Sequence, residues 1–236
     1  MGKLLRLDKF LCELGIGTRS EVKTLLRRGM VTVNGITQKS PDIKINPEQD
    51  EVIYQEQVLK YQEFYYYMLH KPAGVITATE DRMQGTVMSL MGDCYRTDLF
   101  PVGRLDKDTE GLLFITNDGD LAHALLSPKK RVPKTYLAEV PERLDLGQIK
   151  ALEQGVDIGD DKPTLPARVE VLTDTHIKLT ICEGRYHQVK RMLKAVGSEV
   201  LYLKRITFGA LILDESLPKG RYRALTDAEV ALLKKK

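Results

Sequence analysis

Apolar residues open the chain at helical intervals. Leu4, Leu7, Leu11 and Leu14 fall on one face and Gly15 and Gly17 close the stretch, which predicts a helix over residues 4–14. Thr18 and Glu21 stand at capping-box spacing, Val22, Leu25 and Leu26 form one apolar face, and Gly29 suits the position just past the last turn. A second helix is therefore predicted over residues 18–28. The period then changes from helical to alternating: Val31-Thr32-Val33 runs into Asn34-Gly35, a strong signal for a two-residue hairpin. Residues 47–61, polar and rich in acids and amides, read as an exit strand and linker.

A second patterned region begins with the aromatic run Phe64 to Leu69, a strand stopped by a bend at Pro72 and Gly74. Val75 to Thr79 reads as another strand, and residues 80–99 are irregular apart from a short helix at Val87 to Met91. Leu112 to Ile115 is a continuous apolar run of the kind buried in sheets. Asn117-Asp118-Gly119 then turns the chain, Asp120 is placed to cap a helix over Leu121 to Leu126, and Pro128 stops it. The prolines of residues 127–135 exclude a helix there. A strand follows at Tyr136 to Val140, then a helix over 146–155, paired strands at Pro166 to Leu172 and His176 to Cys182, a helix running to Gly197, and a last helix capped by Thr226 and Glu229. No internal repeat is visible.

Composition narrows the chemistry. The chain has 236 residues, 42% of them hydrophobic, enough to bury an ordinary core in one or two domains. Its net charge of +3 is unevenly spread, since residues 1–28 carry seven Lys/Arg against three acids. A localised contact with a polyanion is expected, nucleic acid first. Three separated cysteines, Cys12, Cys94 and Cys182, signal neither a disulfide framework nor a zinc site and fit a reducing cytoplasm. The four histidines never recur at ligand spacing, and neither phosphate-binding glycine motif occurs, so no metal or other cofactor is expected. No signal peptide or membrane span is apparent, so a soluble, cytoplasmic, monomeric protein is expected.

Cations cluster in three places. Arg19, Lys23 and Arg27 recur every four residues on the second helix, with Arg28, Arg6 and Lys9 nearby, and read as a phosphate-contacting face. Lys129, Lys130 and Arg131 form a basic loop leading to Tyr136, a phenol at a strand entrance. Arg185, Lys190 and Arg191 belong to the segment that becomes the helix before Gly197, with Lys190 and Arg191 at the edges of its apolar face. Against these cations stands the turn Gly103-Arg104-Leu105-Asp106-Lys107-Asp108-Thr109-Glu110-Gly111, which leads directly into the buried strand. Either Asp106 or Asp108 can face inward there; adjacent Leu105 favours Asp106.

The first sixty or so positions resemble the S4-type RNA-binding domain, through Arg6-Leu7-Asp8, Thr18-Arg19-Ser20-Glu21-Val22 and Val31-Thr32-Val33-Asn34-Gly35. That resemblance implies an RNA partner. RNA chemistry that needs only a carboxylate is a short list: phosphodiester hydrolysis calls for clustered histidines or metals and methyl transfer for a nucleotide-like cofactor, whereas remaking a glycosidic bond needs one acid at the anomeric carbon.

Lys71-Pro72-x-Gly74, Gly103-Arg104-Leu105-Asp106-x-x-Thr109-x-Gly111-Leu112-Leu113, Lys134-x-Tyr136 and Glu183-Gly184-Arg185-x-His187-Gln188-Val189-Lys190-Arg191-Met192 resemble, in order and spacing, the RsuA branch of the pseudouridine synthases. The resemblance implies an α+β fold: an S4-like αα-plus-β-hairpin module at residues 1–60, then at 61–236 a catalytic domain whose mixed, mainly antiparallel sheet is flanked by helices. It also implies that Asp106 acts at C1′ while uracil leaves through N1 and rejoins through C5, that Tyr136 stacks on the target base, and that a cation of the last motif pairs with Asp106. Many relatives have arginine at that cation; here Lys190 and neighbouring Arg191 are both candidates. Arg104, two residues before the aspartate, is implied to fill the place of the flipped base, with Arg191 and Arg185 as further substrate contacts. Ribosomal RNA is the implied substrate, most like uridine 516 of 16S rRNA, with a large-subunit uridine as the alternative. A non-catalytic ribosome-assembly factor is the alternative from another class.

Overall fold

The structure, a computed structural model, describes residues 4–92 and 98–235. Cys94 and part of the irregular 80–99 stretch lie outside the described residues. The described chain divides into two compact units, one running to Phe64 and including Leu99, the other comprising Tyr65–Met91 and the residues from Phe100 onward.

In the first unit Leu5–Arg6 pairs antiparallel with Lys44–Ile45, so the first helix begins at Leu7 rather than at residue 4 and ends at Glu13. The second helix, Arg19–Arg27, starts as its sequence predicts: the Glu21 amide donates to the Thr18 hydroxyl and the Thr18 amide to the Glu21 carboxylate. Leu7, Phe10 and Leu11 share a buried core with Val22, Leu26, Val31, Val33 and Val52. Asn34 and Gly35 both adopt positive φ, 51° and 76°, as the hairpin between Val31–Val33 and Ile36–Thr37 requires. The expected exit strand is instead a hairpin, Val52–Tyr54 with Gln57–Val58, whose turn forces Gln55 and Glu56 to φ 49° and 63°. Neither residue type advertises that geometry, so the turn was not readable.

The second unit is built on a mixed sheet, mainly antiparallel. Its main path runs Arg168–Val171, His176–Ile181, Lys134–Glu139, Tyr202–Phe208, Glu110–Thr116, Tyr66–Lys71, Tyr222–Ala224, and only the pair Tyr202–Phe208 with Glu110–Thr116 is parallel. All seven residues of Glu110–Thr116 are buried, as the apolar run foretold. At Gly111 two strands come unusually close: a Cβ there would sit 2.2 Å from the Arg205 carbonyl oxygen, and φ is +106°. Only glycine meets both demands. Helices Leu146–Gln154, Gln188–Ala195 and Asp227–Lys234 complete the α+β architecture.

Three local expectations change. Asp118 rather than Asp120 caps the helix Gly119–Leu126, because its carboxylate accepts from the Leu121 amide at 2.9 Å. Pro128–Lys130 forms one turn of 3₁₀-helix, which proline at the first position permits. Val75 to Thr79 makes one isolated bridge, Ile76 with Thr86, and no strand, because Thr77 turns to bind the backbone of Leu105.

Candidate active site

The turn before the buried strand is held by side chains from elsewhere. Thr109 donates its amide to the Asp106 carbonyl at 3.1 Å, closing the turn, and Gly74 donates to the Lys107 carbonyl at 2.8 Å. The Thr77 hydroxyl donates to the Leu105 carbonyl at 2.8 Å and accepts from the Leu105 amide at 3.1 Å. Beneath the turn lies fully buried Lys71, whose ammonium donates to the carbonyls of Pro72, Asp106, Lys107 and Thr109 at 3.1, 3.0, 3.3 and 2.8 Å. Burial pushes this ammonium down from 10.5 to about 8, with Asp108, Asp106 and Glu110 opposing the fall, so Lys71 is a cation at neutral pH. It gathers four carbonyls around one buried ammonium.

Backbone fixed in this way presents the Asp106 carboxylate, about a quarter exposed, to two basic groups. His187 Nε2 lies 3.5 Å from Oδ1, and Lys190 Nζ lies 3.5 Å from Oδ2. Both come from the segment at the start of the helix Gln188–Ala195, where His187 takes the left-handed conformation, φ 48°. Lys190 also reaches Asp108 at 2.6 and 2.7 Å and holds that carboxyl below the usual carboxylate range. One ammonium thus bridges two carboxylates, with the exposed Asp108 the closer.

Asp106 and Tyr136 line the same cavity, of about 620 Å³, together with Arg104, His187 and Lys190. Tyr136 is 8% exposed and sits opposite Arg205 on the neighbouring strand. Arg104 is exposed and also lines the cavity. Tyr186, 75% exposed, stacks on His187 with ring centroids 3.9 Å apart, adding an aromatic plate to the same wall.

Other residues singled out by sequence have different employment. Arg191 turns away from Asp106: it binds Asp160 at 2.6 Å, the Ile158 carbonyl and the Tyr186 carbonyl, and it is not among the residues lining the cavity. Its edge position on the helix points it at the 158–160 segment, so of the two candidate cations Lys190 is the one beside Asp106. Arg185 lines the cavity, but its guanidinium binds Glu183 at 3.1 Å and the Lys162 and Pro163 carbonyls at 2.6 and 2.8 Å, fastening a loop. In the first unit Arg19, Lys23, Arg27 and Arg28 are exposed. Arg6 pairs with Asp8 and Asp42, and Lys9 lies 3.7 Å from Glu13 with its side chain half exposed. Lys129, Lys130 and Arg131 are exposed, next to cavity residues Ser127 and Pro128. Sequence reasoning assigned no role to His187, Lys71 or Arg205, and weighed Asp108 only as the alternative to Asp106; for His187 and Lys71 the signal was present, since both stand inside the quoted motifs.

Residues 65–195 match the family of RNA pseudouridylate synthases, and residues 5–52 match the S4 domain. An uncharacterized RNA pseudouridine synthase of Bacillus subtilis is 48% identical over 97% of this chain and 98% of its own length. Ribosomal small subunit pseudouridine synthase A of Vibrio cholerae is 42% identical over 96% of this chain and 98% of its own. A crystal structure described as a pseudouridylate synthase superposes with a TM-score of 0.69 at 39% identity, covering 97% of this chain and 99% of that one.

Proposed function

The chain belongs to the RNA pseudouridylate synthase family, and from that premise we propose that it converts a uridine of small-subunit ribosomal RNA to pseudouridine, with Asp106 as the carboxylate at C1′. The observation that carries this reading is Asp106 itself. Its carboxylate stands on a turn pinned from below, 3.5 Å from His187 Nε2 and 3.5 Å from Lys190 Nζ, in a cavity that also contains Tyr136. Fixed charges of this kind stabilise charge as it develops at C1′ without reorganising at the moment of reaction.

The chemistry needs uracil to leave C1′ through N1, turn within the cavity and return through C5. Tyr136 is the wall on which the ring turns, and the Lys190 ammonium bridges the Asp106 and Asp108 carboxylates. A stacked uridine must first be extruded, at a cost of roughly a few kcal/mol in duplex RNA. Exposed Arg104 at the cavity is placed to fill the vacancy with its planar guanidinium. Exposed Lys129, Lys130 and Arg131 hold the flanking phosphates, and in the first unit the helix face of Arg19, Lys23 and Arg27 with Arg28 contacts RNA phosphates.

For the substrate, the full-length similarity to ribosomal small subunit synthases of Vibrio cholerae and Haemophilus influenzae, 42% and 39% identical, supports small-subunit rRNA, and uridine 516 of 16S rRNA is the site proposed. The test is pseudouridine mapping by carbodiimide modification and primer extension, on small- and large-subunit rRNA and on assembling small subunits incubated with the protein. A new stop at that single small-subunit uridine is expected. Modification confined to large-subunit RNA would overturn the substrate assignment.

A further inference from the structure

The sheet floor of the cavity holds two cations that the reading above leaves unused. On Lys134–Glu139 the buried residues alternate, 134, 136 and 138. On Tyr202–Phe208 they are 203, 205 and 208, the step of three arising at a bulge where Tyr136 pairs with Arg205 and Thr135 with Thr207. The bulge brings Arg205 and Phe208 onto the face that carries Lys134 and Tyr136, and all four line the cavity. Lys134 is 9% exposed and Arg205 1%.

Among the described residues neither cation has an acid. Lys134 donates to the Val132 carbonyl at 3.0 Å, Arg205 Nε donates to the Leu112 carbonyl at 2.8 Å, and among the described residues Arg205 Nη2 has no hydrogen-bond partner at all. The two flank the Phe208 ring, 5.6 and 5.0 Å from its centroid, which softens the charge without cancelling it. Burial and the neighbouring guanidinium both press the Lys134 ammonium below its ordinary range. Two carboxylates line the same cavity, and one of them, Glu183, is occupied by Arg185, Gln188 and the Leu165 amide. Buried charges normally find a counter-charge. The cavity therefore has two unlike ends: at the turn a carboxylate paired with His187 and Lys190, and on the floor positive charge without an anion.

We propose that Lys134 and Arg205 form the anion site for departing uracil. When the C1′–N1 bond breaks, its electron pair goes to uracil N1 and the negative charge spreads over O2 and O4. The sugar carbon becomes electron-poor beside Asp106, while the base becomes an anion above the two cations. The same charge separation is built into the empty site. The anion then attacks C1′ through C5; the electron pair of the new C–C bond comes from the base, the C5 proton passes to solvent and N1 takes one proton from solvent, so pseudouridine forms with no net gain or loss of atoms or electrons. This rests on the assignment of Asp106 at C1′.

The test uses the full protein and RNA carrying either uridine or 5-fluorouridine at the target, with single-turnover disappearance of the N-glycoside followed by nuclease digestion and mass spectrometry. Fluorine at C5 stabilises the uracil anion by itself, so that substrate needs the floor cations less. Lys134→Met is expected to slow the uridine reaction by about 100-fold, the usual cost of one preorganised charge-stabilising donor, and the fluorinated one by roughly tenfold less than that. Lys134→Arg, which keeps the charge, is expected to recover most of the rate, and the thermal midpoint of each variant separates a folding defect from this effect. Equal losses on both substrates, or no loss in a folded Lys134→Met protein, would overturn the proposal. If wild type converted uridine normally and Asp106→Asn did so too, the assignment of Asp106 would fail first and the proposal with it.

Discussion

Replacing Lys71 by methionine separates what holds the fold from what holds the reactive turn. Methionine matches the stem in length and cannot donate. Of the four carbonyls served by Lys71, those of Asp106 and Lys107 keep backbone donors in Thr109 and Gly74, whereas those of Pro72 and Thr109 lose theirs. Leaving one buried and one partly buried acceptor unpaired costs at most about 2–6 kcal/mol. Against this, the fall of the ammonium from 10.5 to about 8 means that the folded state carries a charge-burial penalty of about 3 kcal/mol at neutral pH, which the substitution removes. Stability should therefore change by no more than about 3 kcal/mol in the unfavourable direction. Activity has no such compensation. A turn freed to shift by about 1 Å costs about 100-fold in kcat.

The pH dependence follows with its sign. Between about pH 8 and 10.5 the unfolded chain holds the Lys71 proton more tightly than the folded one, so this group's penalty is present in full below 8 and is relieved as pH rises. Stability due to Lys71 thus increases over the window in which its amine loses one donor and the turn loosens. Wild type should lose kcat above about pH 8 while its thermal midpoint does not fall on account of this group; Lys71→Met should lack that limb. Single-turnover rates and thermal unfolding of both proteins across pH provide the assay. A Lys71→Met protein with near-wild-type kcat and the same alkaline limb would refute the reasoning.

Gly111→Ala would place a methyl 2.2 Å from the Arg205 carbonyl oxygen in a left-handed backbone. A loss of about 3 kcal/mol, roughly 6–12 °C in thermal midpoint, is expected, and an unchanged midpoint would contradict the close strand approach. Neutralising Arg19, Lys23 and Arg27 together should reduce the salt slope of RNA binding by about 2 without unfolding the protein; an unchanged slope would put the docking face elsewhere. Arg6→Met, by contrast, should lower stability through Asp8 and Asp42 and leave that slope nearly as it was.

What was legible in the chain was what is decided locally. The Thr18–Glu21 box, the Asn34-Gly35 turn and the strand into Ile115 depend on residues within a few positions of one another, and all three stand as their chemistry predicts. Asp106 was favoured over Asp108 by its neighbour Leu105, which is indeed buried. What failed depended on partners far along the chain. Val75 to Thr79 has the composition of a strand, yet Thr77 is claimed by Leu105, 28 positions away. Lys190 and Arg191 are adjacent and alike in charge, and only the packing of the 158–160 segment sends one to Asp160 while the other bridges Asp106 and Asp108. Arg205 drew no reading at all, because nothing in its own neighbourhood reveals that two strands bury it.

The central claim, that the Asp106 carboxylate performs the isomerisation, is tested most directly by release of tritium from C5-labelled uridine in small-subunit rRNA, comparing wild type with Asp106→Asn. Pseudouridine formation must free that hydrogen, and asparagine keeps the shape of the side chain without its charge. The account predicts release by wild type and none by a folded, RNA-binding Asp106→Asn protein. Release by both at similar rates would contradict it.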